Sequence, residues 1–187
     1  MSREAVARLG RSHRGSYGGD VKRLYLLRHA KSAWDDPTLR DRERPLAPRG
    51  RKAAKRMARW SRQHGVRPQL VVCSSAVRAQ DTLRRVLPGL GEPAVWVEVA
   101  LYAADAETLL ARIRALPGEV DSAMLVGHNP GLMDLLLLLA APGKLRGRAE
   151  ENLPTGALAE LELEVVRWAD ASPGAARLTE FVRPRDL

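Results

Sequence analysis

The chain has 187 residues, 45% hydrophobic and 28% charged, and carries a formal net charge of +9 at pH 7. That size and balance suit one domain with a real hydrophobic core and exclude wholesale disorder. A lone cysteine, Cys73, excludes an internal disulfide framework and a multi-cysteine metal cluster, and points to a reducing compartment.

Residues 1–20 show no hydrophobic period and hold a Ser-His-Arg-Gly-Ser-Tyr-Gly-Gly stretch, so they read as a flexible basic leader ahead of one domain over 21–187. From Val21 onward, short apolar runs alternate with helical patterns. Strands are expected at 24–27, 70–73, 94–99 and 123–126, and helices at about 49–64, 76–87, 105–116 and 130–140. Asp105 can cap the third helix, and Asn129 before Pro130 offers an N-cap and a first-turn proline for the fourth. This alternation predicts an α/β fold, a three-layer α/β/α sandwich around a mainly parallel central sheet. Beyond residue 150 the pattern changes. Ala157, Ala159, Leu161, Leu163 and Val165 alternate with Glu160, Glu162 and Glu164 as a half-exposed strand, and Ser172-Pro173-Gly174 turns the chain toward a last strand at 177–182.

The positive charge is local. Residues 1–23 carry +4, residues 40–62 carry +8, and the remainder carries −3. Within the second segment Ala53, Met57, Trp60 and His64 recur at helical spacing, which leaves most of its Arg and Lys on a solvated face. With one Phe and three Tyr in the whole chain, base stacking has little to work with, and no specific nucleic-acid partner is expected. No apolar run approaches the ~18 residues of a membrane span; the longest, residues 135–141, stops at Pro142. The first twenty residues have no apolar stretch of the secretory kind. No membrane association and a cytoplasmic location are the expectation.

In α/β sheets, ligands bind beyond the carboxyl ends of the strands. Arg28-His29-Ala30-Lys31-Ser32 follows the first strand, Ser74-Ser75-Ala76-Val77-Arg78 the second, and Gly127-His128-Asn129-Pro130-Gly131 the fourth. Two histidines of four, and two arginines, thus fall on one rim. Arginine forks and helix N-termini after Ser75 and Asn129 suit the oxygens of a phosphoryl group, and a neutral imidazole can attack phosphorus. No Walker-type glycine loop is present, so nucleotide-driven transfer is not indicated.

Leu-Arg-His-Ala-Lys-Ser (27–32), Arg-Pro-Leu-Ala-Pro-Arg-Gly (44–50), Ser-Ser-Ala-Val-Arg-Ala-Gln-Asp-Thr (74–82) and Val-Gly-His-Asn-Pro-Gly (126–131) stand in order along the chain. Together they resemble the histidine phosphatase superfamily, in its phosphoglycerate-mutase-like branch, and most of all the small SixA-type phosphohistidine phosphatases. The resemblance runs from about Leu24 to the C-terminal strands. It implies that His29 is the phosphorylated nucleophile, that Arg28 and Arg78 bind phosphate oxygens, and that His128 is the second imidazole, with no metal or other cofactor. Ser32 and Lys31 either contact the phosphate or belong to a solvated loop. Wider members of the superfamily supply a carboxylate that protonates the leaving group. Here Glu98 is the candidate, with Asp35 and Asp36 as rivals, or the acid is missing. A missing acid would suit phosphohistidine or another activated phosphate, because such groups leave with little help. The implied partner is a phosphorylated protein or a small phosphorylated substrate. A small-molecule phosphomonoesterase or mutase of the same fold, and a phospho-ligand binding module without turnover, are the alternatives. A metal site of His29, His128 and Asp134 is disfavoured by the two arginines on the same rim. Cys73, inside an apolar strand, reads as core, and Trp34 as a wall of the pocket mouth.

Overall fold

The structure is a computed structural model that describes residues 21–187; the leader expected over residues 1–20 lies outside the described residues. The chain runs β1 (Lys22–Arg28), α1 (Pro48–Gln63), β2 (Leu70–Ser74), α2 (Val77–Val86), β3 (Ala94–Glu98), α3 (Ala106–Arg114), β4 (Ser122–Gly127), α4 (Gly131–Leu139), α5 (Lys144–Glu151), β5 (Leu158–Leu163) and β6 (Ala176–Val182). The six strands form one sheet in the order β3-β2-β4-β1-β5-β6. β3, β2, β4 and β1 are parallel, whereas β5 runs antiparallel to both of its neighbours.

Side chains alternate across a strand, so each strand feeds two cores. Leu24 and Leu26 join Val72, Leu125 and Leu161 under α3 and α4 through Ile113, Leu132 and Leu136. Tyr25 and Leu27 join Val71, Cys73 and Val126 under α1 and α2 through Met57, Ala79 and Leu83. The domain is thus the expected α/β/α sandwich, and β1 and β4 are continuous apolar runs because helices cover both of their faces. Cys73 is fully buried, and burial pushes its thiol up to about 12. Among the described residues no helix is long and apolar enough to cross a membrane.

One local expectation is corrected, and one element is new. Asp105 caps α3 by accepting from Thr108 N–H at 2.8 Å, but Asn129 does not cap α4. Pro130 takes the cap position, and the Asn129 amide donates instead to Leu153 O at 3.1 Å. Helix α5 was not expected, since Lys-Leu-Arg-Gly-Arg-Ala-Glu-Glu has almost no apolar stripe to betray it.

Candidate active site

The carboxyl ends of β1, β2 and β4 meet at one rim. Arg28 closes β1, and its N–H donates to Ala157 O while the next N–H, of His29, donates to Gly127 O, both at 3.0 Å. Gly156 N–H donates back to the carbonyls of Arg28 and His29 at 3.1 Å. His128 follows β4, and its carbonyl accepts the Leu132 N–H of α4 at 2.9 Å. Arg78 lies in the first turn of α2. The Thr82 hydroxyl, one turn further along α2, accepts from Ala30 N–H at 2.9 Å and donates to Arg78 O at 2.7 Å. One side chain thereby ties the His29 loop to the helix that carries Arg78.

Two motif glycines are explained by close approach. A Cβ on Gly50 would stand 2.2 Å from Lys31 O, and one on Gly131 would stand 1.9 Å from Ala104 O. Neither position accepts a side chain unless backbone moves, and the first lies against the loop that follows His29.

The structure brings His29, Arg78 and His128 together in the interior, at 8%, 7% and 6% exposure. The His29 and His128 rings lie 5.0 Å apart. Because a carbonyl only accepts, His29 Nδ1–H donates to Ala30 O at 2.8 Å, which leaves the lone pair on Nε2. That lone pair accepts from Arg78 Nε at 3.3 Å. His128 Nε2 hydrogen-bonds with Ser74 Oγ at 2.8 Å, and Tyr102 meets the His128 ring edge-on at 5.6 Å. Burial pushes the His29 imidazolium down to about 4, with Arg78 and Arg28 adding to the effect. Burial likewise pushes His128 to about 3, with His29 and Arg78 adding. Both rings are therefore neutral at ordinary pH.

Arg28 donates to Leu153 O at 2.8 Å, while its Nε and His128 Nδ1 are buried without a protein partner among the described residues. Buried polar atoms of this kind are completed by a ligand or water. Ser32 is buried beside the His29 loop, in an isolated backbone bridge with Leu46. Glu98 pairs with Ser74 across β2 and β3, and its carboxylate accepts two hydrogen bonds from Arg112 Nε and one from Arg112 Nη2, at 2.8–3.0 Å. Asp35 and Asp36 line a depression with Leu39, Pro48 and Arg51, which none of the four rim residues lines. Trp34 is 68% exposed, with the Arg44 guanidinium stacked 3.1 Å from its ring centroid. Among the described residues no group of three or more His, Cys, Asp or Glu is placed to hold a metal ion.

Sequence reasoning missed Asp41, Tyr102 and Ser74. Arg78 Nη2 donates to Asp41 Oδ2 at 2.8 Å, Arg78 Nη1 donates to Asp41 O, and the Tyr102 hydroxyl donates to the same Oδ2 at 2.8 Å. Burial alone would raise the Asp41 carboxyl, but the Tyr102 hydroxyl and the Arg78 guanidinium outweigh it and hold it below the usual carboxylate range. Ser74 opens the Ser-Ser-Ala-Val-Arg block, and that position is a usable signal. Asp41 had none, since it lies in an Arg-rich stretch that reads as solvated.

Residues 24–101 match the family described as histidine phosphatase superfamily (branch 1). An uncharacterized Mycobacterium tuberculosis protein, Rv1276c, is 36% identical over 163 residues, which cover 85% of this chain and all of that protein. The structure of the proposed phosphohistidine phosphatase SixA of Agrobacterium tumefaciens superposes with a TM-score of 0.76 at 32% identity, covering 87% of this chain and 98% of that one. The protein histidine phosphatase SixA, solved with tungstate, superposes with a TM-score of 0.72 at 26% identity, covering 88% and 98%. With four motif blocks in order and three of them meeting at one rim, these likenesses place the chain in the histidine phosphatase superfamily, as a phosphatase of the SixA type.

Proposed function

We propose that the enzyme hydrolyses phosphohistidine or another activated phosphate through a phosphoenzyme formed on His29. The observation that carries this reading is the state of His29. Its Nδ1–H is committed to Ala30 O, so a neutral ring presents the Nε2 lone pair beside a buried arginine fork. Arg28 and Arg78 hold the phosphoryl oxygens, Ser32 borders them, and His128 donates to the charge that builds on the group in flight. Nε2 attacks phosphorus, a P–N bond forms, and the leaving group departs with its bonding electron pair. Water then attacks the phosphorylated His29, the P–N bond breaks back to neutral imidazole, and the water's protons leave with inorganic phosphate.

Two features support an activated substrate. The Glu98 carboxylate is taken up by Arg112, and Asp41 is ionised and so has no proton to give. A leaving imidazole or acyl group needs less proton assistance than an alkoxide. The tungstate bound to the 26% identical SixA is an oxyanion of the same class as phosphate, in keeping with an oxyanion pocket at this rim.

The test is hydrolysis of an aryl phosphate and of a phosphohistidine protein in excess chelator, wild type beside His29→Ala. Chelator-resistant turnover should fall by about three orders of magnitude or more in the variant, and no acid-labile phosphoenzyme should form. Turnover that survives the substitution would overturn the reading.

A further inference from the structure

Arg78 commits three donor atoms inside the resting protein. Nε rests on His29 Nε2, and both terminal nitrogens rest on Asp41, one on its carbonyl and one on its carboxylate. The two partners differ in exposure. Arg78 rises from the buried face of α2, with its side chain 9% exposed. Asp41 sits on a one-turn helix, Asp41–Glu43, with its side chain 51% exposed. Tyr102 holds the same carboxylate oxygen as Arg78 does, and Arg44 lies 3.8 Å from the other oxygen.

A buried guanidinium without an anion is costly, so Arg78 needs one both before and after substrate arrives. An ionised carboxylate and a phosphoryl dianion on the same fork repel each other, and only one is held there at a time. The fork also governs the nucleophile. While Nε–H points at His29 Nε2, the attacking lone pair is occupied, and it is freed when Arg78 turns to phosphoryl oxygens. We propose that Asp41 is a specificity-determining residue that fills the anion position of Arg78 in the resting enzyme and gives way to the phosphoryl group, with Tyr102 tethering the displaced carboxylate at the mouth. Asp41 then sets a threshold. An anion enters only if its charge and its fit to the fork exceed those of a carboxylate already in place, which admits phosphoryl groups and turns away chloride and simple carboxylates.

The inference rests on the reading of Arg78 as a phosphate ligand, so its test avoids turnover. Inorganic phosphate is titrated calorimetrically into the full chain as wild type, Asp41→Asn and Tyr102→Phe, then again with chloride or acetate present. The dissociation constant for phosphate should fall about tenfold in Asp41→Asn and about two- to threefold in Tyr102→Phe. Chloride and acetate should compete with phosphate in Asp41→Asn and leave the wild type untouched. Phosphate affinity that is unchanged or weaker in Asp41→Asn would overturn the proposal, since Asp41 would then only hold Arg78 in place. Should Asp41→Asn fail to fold by circular dichroism, unchanged affinity in Tyr102→Phe has the same force. Failure of the phosphoenzyme reading looks different: the wild type binds phosphate with the variant ratios above, yet no phosphate is trapped on His29.

Discussion

Arginines and carboxylates cluster at two places in this molecule, and the two clusters are built on opposite terms. Across β1, β5 and β6, Arg23 pairs with Glu160 at 3.0 Å and with Glu162 at 2.9 Å, while Arg177 pairs with Glu162. Two cations there meet two carboxylates on a strand face. At the carboxyl ends of β1, β2 and β4, Arg28 and Arg78 stand beside two neutral imidazoles, and among the described residues one half-exposed carboxylate, Asp41, answers them. What marks the site is local imbalance held in the interior, since only an uncompensated buried cation has binding energy left for a ligand anion. The chain's +9 says little about it, and neither does the arginine-rich stripe on α1.

The sharpest way to break this contrast is to titrate it. Protonation removes the lone pair that attacks, so turnover falls as pH falls through the value of His29 in the folded protein. With that value pushed down to about 4, kcat/KM for an aryl phosphate, corrected for ionisation of the substrate, should stay nearly flat down to pH ~5. An ordinary imidazole near 6.5 would already cost about thirtyfold there. An acid limb near 6.5 would show that the rim is not the dry, positive enclosure described above. Stability carries the same sign. Unfolded imidazoles take up protons near 6.5 that the folded rings refuse until about 4 and about 3, so the melting temperature should fall as pH drops through that window. The fall should be shallower in His29→Ala.

A smaller effect is expected from Thr82→Val, which changes no charge and touches no substrate. The swap keeps the shape but strands the buried Ala30 N–H and frees the Arg78 carbonyl. Loss of about 1–3 kcal/mol in chemical denaturation is expected. Turnover should drop about tenfold, because the nucleophile loop and the Arg78 helix lose their shared anchor. If stability falls while kcat holds, the rim is positioned by its backbone hydrogen bonds alone.

How much of this could be read in the sequence follows from how far each signal reaches. Runs such as Leu-Tyr-Leu-Leu in β1 and Met-Leu-Val in β4 declare buried strands locally, and Asp105 declares a cap, so the layers and the positions of Arg28, His29, Arg78 and His128 were legible. Helix α5 was not, because it packs with few apolar side chains and carries Gly147 in its interior. Choice of partner was illegible for a different reason. Asp41 reaches Arg78 across 37 positions and Tyr102 across 61, and nothing in the Arg-Asp-Arg-Glu-Arg stretch separates it from a solvated loop. Glu98 shows the converse, a position that was legible and a partner that was not. It stands at a strand end as expected, yet Arg112 on the neighbouring helix claims it.

The smallest expected effects are in the balanced pairs. Glu162→Gln unmakes part of the β5–β6 cluster, and Glu98→Gln unmakes the fork to Arg112, whose partners are 17% and 26% exposed. Each should cost about 0.5–1 kcal/mol in denaturant, since partly wet pairs give little net stability. For turnover, the informative quantity is the ratio between an aryl and an alkyl phosphate. Aryl oxides leave almost unaided, whereas an alkoxide needs a proton, so the ratio isolates proton donation from general damage to the fold. With Arg112 holding the Glu98 carboxylate, both variants should keep the wild-type ratio within about twofold. A selective collapse of alkyl phosphate turnover in Glu98→Gln, with Glu162→Gln unaffected, would make Glu98 the proton donor and turn the substrate from activated phosphates toward ordinary esters.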